Sequence, residues 1–247
     1  MDTNATSSIL KPYTRLGHVY DDLMEDLDYT GWRDFIIDII TERGWAGSSV
    51  LDLGCGTGGS LKPFIDAGFT CVGVDGSSDM LKQARAKLPE AELILERFET
   101  LDLGKRFDLI VSLFDAINHV PSLEVLSGVF MRVRDHLMPN GWFVFDVNTS
   151  AFLNQMAQNG IGTKQMNGTN FSWQSSYVPE TKHSTLELSW HNDLESVTEA
   201  HVERAYDTEE IVPLLVDVGF SNVETLTFPD RTEAITGVDR VWYFARI

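Results

Sequence analysis

Three glycines and a following aspartate hold the residues on which chemistry can be built. Gly54, Gly56 and Gly59 fall within Leu51-Asp52-Leu53-Gly54-Cys55-Gly56-Thr57-Gly58-Gly59, directly after an apolar run that begins at Val50. Such a run, stopped by glycines and followed by a helix-like stretch over about 60–67, is how a buried parallel strand turns into a helix. Lacking a Cβ, each glycine lets backbone come close to a ligand. A second run, Cys71-Val72-Gly73-Val74, ends at Asp75. That carboxylate follows the first glycine by about 20 residues, the separation at which an acidic side chain meets ribose hydroxyls. The implied ligand is nucleotide-like. The bland alternative is a tight strand–helix turn that binds nothing.

The spacing G-x-G-x-x-G is also the dinucleotide fingerprint, so glycines alone do not separate NAD from S-adenosylmethionine. Asp52 does. It lies one residue inside the strand end, where a second carboxylate repels a pyrophosphate. S-adenosylmethionine has no phosphate and carries an ammonium and a sulfonium, which a carboxylate favours. On these residues the sequence resembles the class I S-adenosylmethionine-dependent methyltransferases. The matching segments are Leu51–Gly58, then Val72-Gly73-Val74-Asp75-Gly76-Ser77, then Asp79-Met80-Leu81. The resemblance covers about 45–150 and 207–247 well, and the intervening stretch loosely.

The resemblance implies S-adenosyl-L-methionine as cofactor and a set of site residues. Asp52, Gly54, Cys55, Gly56 and Gly58 would face the methionine part, and Asp75 with Gly76 the ribose. Phe98 would meet the adenine through its ring or its backbone N–H. Met80 would touch the adenine ring, or else simply fill core. Arg33 would reach the cofactor carboxylate. Family members commonly hold the adenine amino group with an acidic side chain just before Phe98, but Arg97 stands there. Arginine cannot accept those hydrogens, so Glu96 or Glu99 would have to serve. Leu113 and Phe114 would line the methyl-transfer channel, with Asp115, Asn118 and His119 orienting an acceptor. His119 is the general-base candidate, since imidazole titrates near neutrality; the alternative is that it packs a local turn. The stretch 12–28 holds Tyr13 and Tyr20 among acidic residues, with Tyr29 directly after it. It reads as a lid that puts Tyr20 against the cofactor, or as an ordinary surface helix.

Composition narrows the partners. The chain has 37 acidic against 19 basic residues, a formal charge of −18. General binding to nucleic acid needs the opposite sign, and the charge favours a neutral or cationic small-molecule acceptor. No run approaches a membrane span. Residues 1–8 read as frayed and lack the pattern of a signal peptide. Two cysteines, Cys55 and Cys71, make no disulfide framework, so a cytoplasmic setting is expected. The histidines show no metal-binding spacing, and no metal is expected. The expected activity is methyl transfer to a small molecule, at N, O or C. The alternatives are a non-catalytic S-adenosylmethionine-binding partner domain and a tRNA-directed methyltransferase.

These residues need a frame. Trp32, Phe35, Ile36, Ile39 and Ile40 recur at helical spacing over 31–43, behind a Thr30 cap. Strands are expected at 49–53, 70–74, 91–98, 107–113 and 142–147. Helices fall between them at 58–67, after Ser77, and at 122–137, with a turn at Pro139-Asn140-Gly141. That alternation makes a parallel, right-handed open sheet. Over 160–206 the pattern changes to extended segments at 169–178, 184–191 and 196–206, an antiparallel layer. Asp207 and Glu210 then have capping-box spacing, and Gly219 closes that helix. Strands at 223–228 and 238–247 form an edge hairpin. The expected fold is α/β: a Rossmann-like open seven-stranded, mostly parallel sheet with its last strand antiparallel, and a small antiparallel layer inserted after strand five. The expected units are an N-terminal lid and packing helix (1–44), the cofactor-binding core (45–159), the inserted layer (160–206) and the completion of the core (207–247).

Overall fold

The computed structural model describes residues 9–234 and 237–247. The reading of 1–8 as frayed lies outside them. A strap at 9–16 leads into α1 (Gly17–Leu23) and then α2 (Tyr29–Glu42). Helix α2 buries Trp32, Phe35, Ile36, Ile39 and Ile40 against the sheet. Its cap is Asp28, which accepts from Gly31 N at 2.8 Å, and not Thr30. The helix starts two residues earlier than expected, so Thr30 already lies in its first turn.

The core follows as β1 (Ser49–Leu53), α3 (Leu61–Asp66), β2 (Thr70–Asp75), α4 (Ser78–Lys87), β3 (Glu92–Leu95), β4 (Phe107–Ser112), α5 (Leu123–Asp135) and β5 (Leu137–Asn148). Ser77 and Ser122 cap α4 and α5 through their hydroxyls. Beyond β5 come α6 (Ser150–Asn159), then β6 (Ile161–Met166), β7 (Thr169–Val178), β8 (His183–His191) and β9 (Ser196–Arg204). The chain closes with α7 (Thr208–Val218), β10 (Asn222–Leu226) and β11 (Arg240–Arg246). The Asp207–Glu210 capping box forms, and Gly219 ends α7 at φ 109°.

The main sheet has seven strands in the order β10-β11-β5-β4-β1-β2-β3. Strand β11 runs antiparallel between β10 and β5, and β1–β5 are parallel. Strands β6–β9 form a separate antiparallel sheet of four. The fold class is therefore the expected one. Three local readings differ. Pro139-Asn140-Gly141 does not end a strand; it lies inside β5, where Asn140 takes φ 64° and the register with β4 shifts. Strand β3 stops at Leu95, and Phe98 sits in a single 3-10 turn over Phe98–Thr100. Helix α6 has no counterpart in the sequence reading, because only Leu153 on it is buried and its apolar signal is thin.

One core cluster lies beneath α5 and α7, and another beneath α2. A third joins Leu16 and Val19 to Met166, Phe171, Leu188, Trp190 and Val197, so the strap and α1 pack with the inserted sheet. The strand order reverses between β1 and β4, which is where an open α/β sheet binds its ligand.

Candidate active site

At the end of β1 the chain turns through Gly54, Gly56 and Gly58, with φ of 89°, 54° and 84°. A Cβ on Gly54 would stand 2.9 Å from the Ala116 Cβ and 3.1 Å from the Phe98 ring. The turn is stitched to β2: Gly54 N and Cys55 N both donate to Val74 O, at 2.8 and 3.0 Å. Asp75 holds it from the side, accepting from Gly56 N at 2.9 Å and Ser77 N at 2.7 Å. Burial raises the Asp75 pKa, against the pull of those two N–H groups.

A cavity of about 570 Å³ opens here, lined by Gly54, Cys55, Gly56, Asp75, Gly76, Met80, Phe98 and Leu113. It falls in the size range of small-molecule sites. Tyr13, Tyr20, Tyr29, Phe114 and His119 line it too. Of the residues singled out from sequence, Arg33, Asp52, Gly58, Glu96, Asp115 and Asn118 stand outside this lining; Asn118 is buried, its amide bonded to Asn148 O and Arg204 O. Arg33 turns away: Nε lies 2.7 Å from Asp34 Oδ1, and Nη1 donates to Pro63 O at 3.4 Å. A Cβ on Gly58 would strike Leu88 at 2.7 Å, so that glycine serves the close approach of α4. Asp52 is fully buried behind the turn. Its Oδ2 accepts from Ser60 Oγ at 2.6 Å, while Oδ1 is buried without a partner. Burial pushes its pKa up to about 7.

Asp115 is engaged elsewhere. Arg240, at the start of β11, donates to Asp115 Oδ1 at 2.6 Å and to Asp146 Oδ2 at 2.5 Å. Asp146 in turn accepts from the backbone N–H of Phe114 at 2.7 Å and of Asp115 at 3.0 Å. Both of these residues are left-handed, with φ of 58° and 53°. Such backbone persists where neighbours over-determine it, and here two N–H bonds and one guanidinium do so. The clasp joins the ends of β4, β5 and β11 and sets Phe114 into the cavity.

His119 follows on the short 3-10 turn Ala116–His119. Its Nδ1 lies 3.2 Å from Val202 O, and its Nε2 lies 2.8 Å from the Tyr13 hydroxyl. A carbonyl only accepts, so Nδ1 carries the hydrogen and Nε2 accepts from Tyr13. Burial lowers the His119 pKa, which keeps the ring neutral at neutral pH. At the far end of the cavity, Arg97 is paired with Glu99, with Nη2 3.1 Å from Oε1. Phe98 and Glu99 line the cavity beside it.

Residues 50–141 match the profile of a methyltransferase domain family. A putative methyltransferase of Geobacillus sp. strain WCH70 is 27% identical over 95% of this chain and 99% of its own length. The crystal structure of an S-adenosylmethionine-dependent methyltransferase from Clostridium acetobutylicum superposes with a TM-score of 0.83 at 26% identity. It covers 93% of this chain and 96% of that one. The matched domain and the fold are those of the class I S-adenosylmethionine-dependent methyltransferases. A third relative is a dTDP-3-amino-3,4,6-trideoxy-alpha-D-glucopyranose N,N-dimethyltransferase of Streptomyces venezuelae, 33% identical over 48% of this chain and 50% of that protein.

Several residues that shape this methyltransferase site have no role in the sequence reading. Asp146 and Arg240 build the clasp, and Glu199 and Glu203 lie on β9. Glu203 is pushed up to about 8 by burial. Asp146 carried a signal, since a lone carboxylate inside Trp142–Val147 breaks an otherwise apolar strand. Its partner, nearly a hundred residues on in sequence, carried none.

Proposed function

We propose that this methyltransferase places the methyl group of S-adenosylmethionine on a nitrogen of a small, neutral or cationic acceptor. The observation that carries this reading is the acceptor-side wall of the cavity, which is aromatic, with Tyr13, Tyr20, Tyr29 and Phe114 around His119, and behind which the cations are paired. Arg240 is held between two carboxylates, and Arg204 and Lys182 are tied to Glu210. A phosphate-bearing acceptor would find these three engaged and would have Lys11 of the strap wall to set against the chain's charge of −18. The nitrogen is supported by the aminosugar N,N-dimethyltransferase relative. The acidic surface and the two free cysteines fit a cytoplasmic enzyme of small-molecule metabolism. Among the described residues no helix is long and apolar enough to cross a membrane.

The chain's residues suit the cofactor. The cradle at Gly54 admits no side chain, and the unpartnered Asp52 Oδ1 lies buried behind the turn. In this reading the turn at 54–58 holds the methionine part, with Asp52 favouring its positive charge from behind. Asp75 accepts from the ribose, and Phe98 meets the adenine with Met80. Glu99 is the acidic group nearest to the adenine end, since Arg97 cannot accept. Bound S-adenosylmethionine supplies a methyl group already activated by its sulfonium. The protein's part is to align acceptor and methyl in a site closed to water. Neutral His119 is the base for the proton that an ammonium acceptor must lose: the Tyr13 hydroxyl passes its own proton to Nε2 and receives the acceptor's, so that Nε2–H then donates to Tyr13.

Titration calorimetry with S-adenosylmethionine and S-adenosylhomocysteine tests the cofactor. Transfer from methyl-labelled S-adenosylmethionine to a panel of small amines, hydroxyls, thiols and nucleotide-linked aminosugars tests the acceptor. Label moving to amines without phosphate supports the reading. Label moving only to the nucleotide-linked compounds, or only to oxygen or sulfur, overturns it.

A further inference from the structure

The strap at 9–16 is joined to the inserted sheet although the whole core separates them in sequence. Leu10 pairs with Glu199 of β9 in parallel. Leu10 N donates to Thr198 O at 2.9 Å, and Leu10 O accepts from Ala200 N at 3.1 Å. The Glu199 side chain is fully buried. It accepts from the backbone N–H of Tyr13 at 2.8 Å and of Arg15 at 2.6 Å. Among the described residues, the basic group in ion-pair range of it is His201, 3.3 Å away. A carboxylate removed from water is costly unless hydrogen bonds replace its hydration. Two strap amides do this here, so strap and carboxylate each leave the other unsatisfied if they part.

The strap conformation needs such a hold. Tyr13 has φ 56°, a region where a bulky residue is an outlier. Its carbonyl accepts from Ser77 Oγ at 2.6 Å, and its hydroxyl meets His119. Tyr13 is thus fixed from the layer, from α4 and from the turn after β4. Lys11, Pro12, Tyr13 and Thr14 form one wall of the cavity. We infer that Glu199 is a positioning residue for the cofactor. By clasping the Tyr13 and Arg15 amides it keeps the strap over the cavity, and the inserted layer thereby sets how long the cofactor product stays bound. This rests on the methyltransferase reading of the cavity.

The test is the dissociation rate of S-adenosylhomocysteine from the full chain, followed by stopped flow. Glu199→Gln keeps the shape and one acceptor oxygen but sets an amide N–H against a strap N–H. Dissociation should quicken at least about tenfold, with association unchanged or faster, a split that damage to the cavity would not give. Leu10→Pro removes the N–H that donates to Thr198 O and leaves the sequence of β8 and β9, Glu199 included, unchanged; it should act in the same direction by a smaller factor. Should Glu199→Gln not fold, Leu10→Pro decides. Release at the wild-type rate from the folded variants overturns the inference. Wild-type protein that does not bind S-adenosylhomocysteine overturns the reading of the cavity, and the inference with it.

Discussion

In the proposed reading the glycine turn meets the cofactor mainly with backbone, whereas the acceptor side is made of side chains. On the first, Gly54 and Gly56 present main chain, stitched to Val74 and Asp75 within β1 and β2. On the second, Tyr13 comes from the strap and Phe114 and His119 from the turn after β4; Glu199 holds Tyr13, Asp146 and Arg240 hold the backbone at Phe114 and Asp115, and Val202 O meets His119. A backbone site is set by a short local sequence. A side-chain site is set by contacts that the chain makes only after folding. Changes on the two sides should therefore fail in different ways.

The largest effect is expected at the clasp. Arg240→Gln leaves Asp115 and Asp146 buried without their cation, a loss of about 3–5 kcal/mol. Thermal unfolding should show it, and folded protein should still bind S-adenosylhomocysteine because the glycine turn lies on other strands. Next is His119→Asn, which should lower the rate of amine methylation about 100-fold with cofactor affinity unchanged. In the wild type, that rate should fall as pH drops through a value below the ordinary imidazole range, near 6.5. The sign follows from burial, which disfavours the protonated ring, so the neutral base persists to lower pH. Loss of cofactor binding in either variant would break the division between the two sides.

Asp75→Ala attacks the backbone side. It removes the acceptor for Gly56 N and Ser77 N and, in the proposed reading, for the ribose. Affinity for S-adenosylmethionine should fall about 30-fold, near 2 kcal/mol. A smaller effect is expected from Asp52, whose pKa stands at about 7 in the free protein. A cationic ligand end favours its ionised form and lowers that pKa on binding. Protons are then released, and affinity should tighten roughly tenfold as pH rises from 6 to 8. Calorimetry in two buffers of different ionisation enthalpy reads the proton directly. Smallest of all, Arg97→Ala should change affinity by less than about threefold, because that side chain is exposed and its pairing with Glu99 is a surface one.

The same division explains what could be read from the sequence. The glycine turn, Asp75 and the alternation of strand and helix are local patterns, and the parallel part of the sheet was legible in them; the strand order is a matter of tertiary pairing. Asp115 stood in the right segment, yet its carboxylate went to Arg240, a residue whose relation to it only β11 creates. The strap showed its tyrosines but not the buried Glu199 that takes its amides, since nothing in Ser196–Arg204 distinguishes that carboxylate from its exposed neighbours. Helix α6 was hidden because it buries too little to mark a period.

The two ends of the inserted segment meet. Tyr206 N donates to Asn148 O at 3.4 Å, and Asn118 bridges the same place through Asn148 O at 2.9 Å and Arg204 O at 2.8 Å. Everything from the end of β5 to the start of α7 therefore leaves and re-enters the core at one point. Such a segment is a cassette. It can be exchanged for that of a relative through a single seam, provided Asn118 and a fitting strap travel with it. Chimeras cut there would carry a new acceptor preference on an unaltered cofactor site.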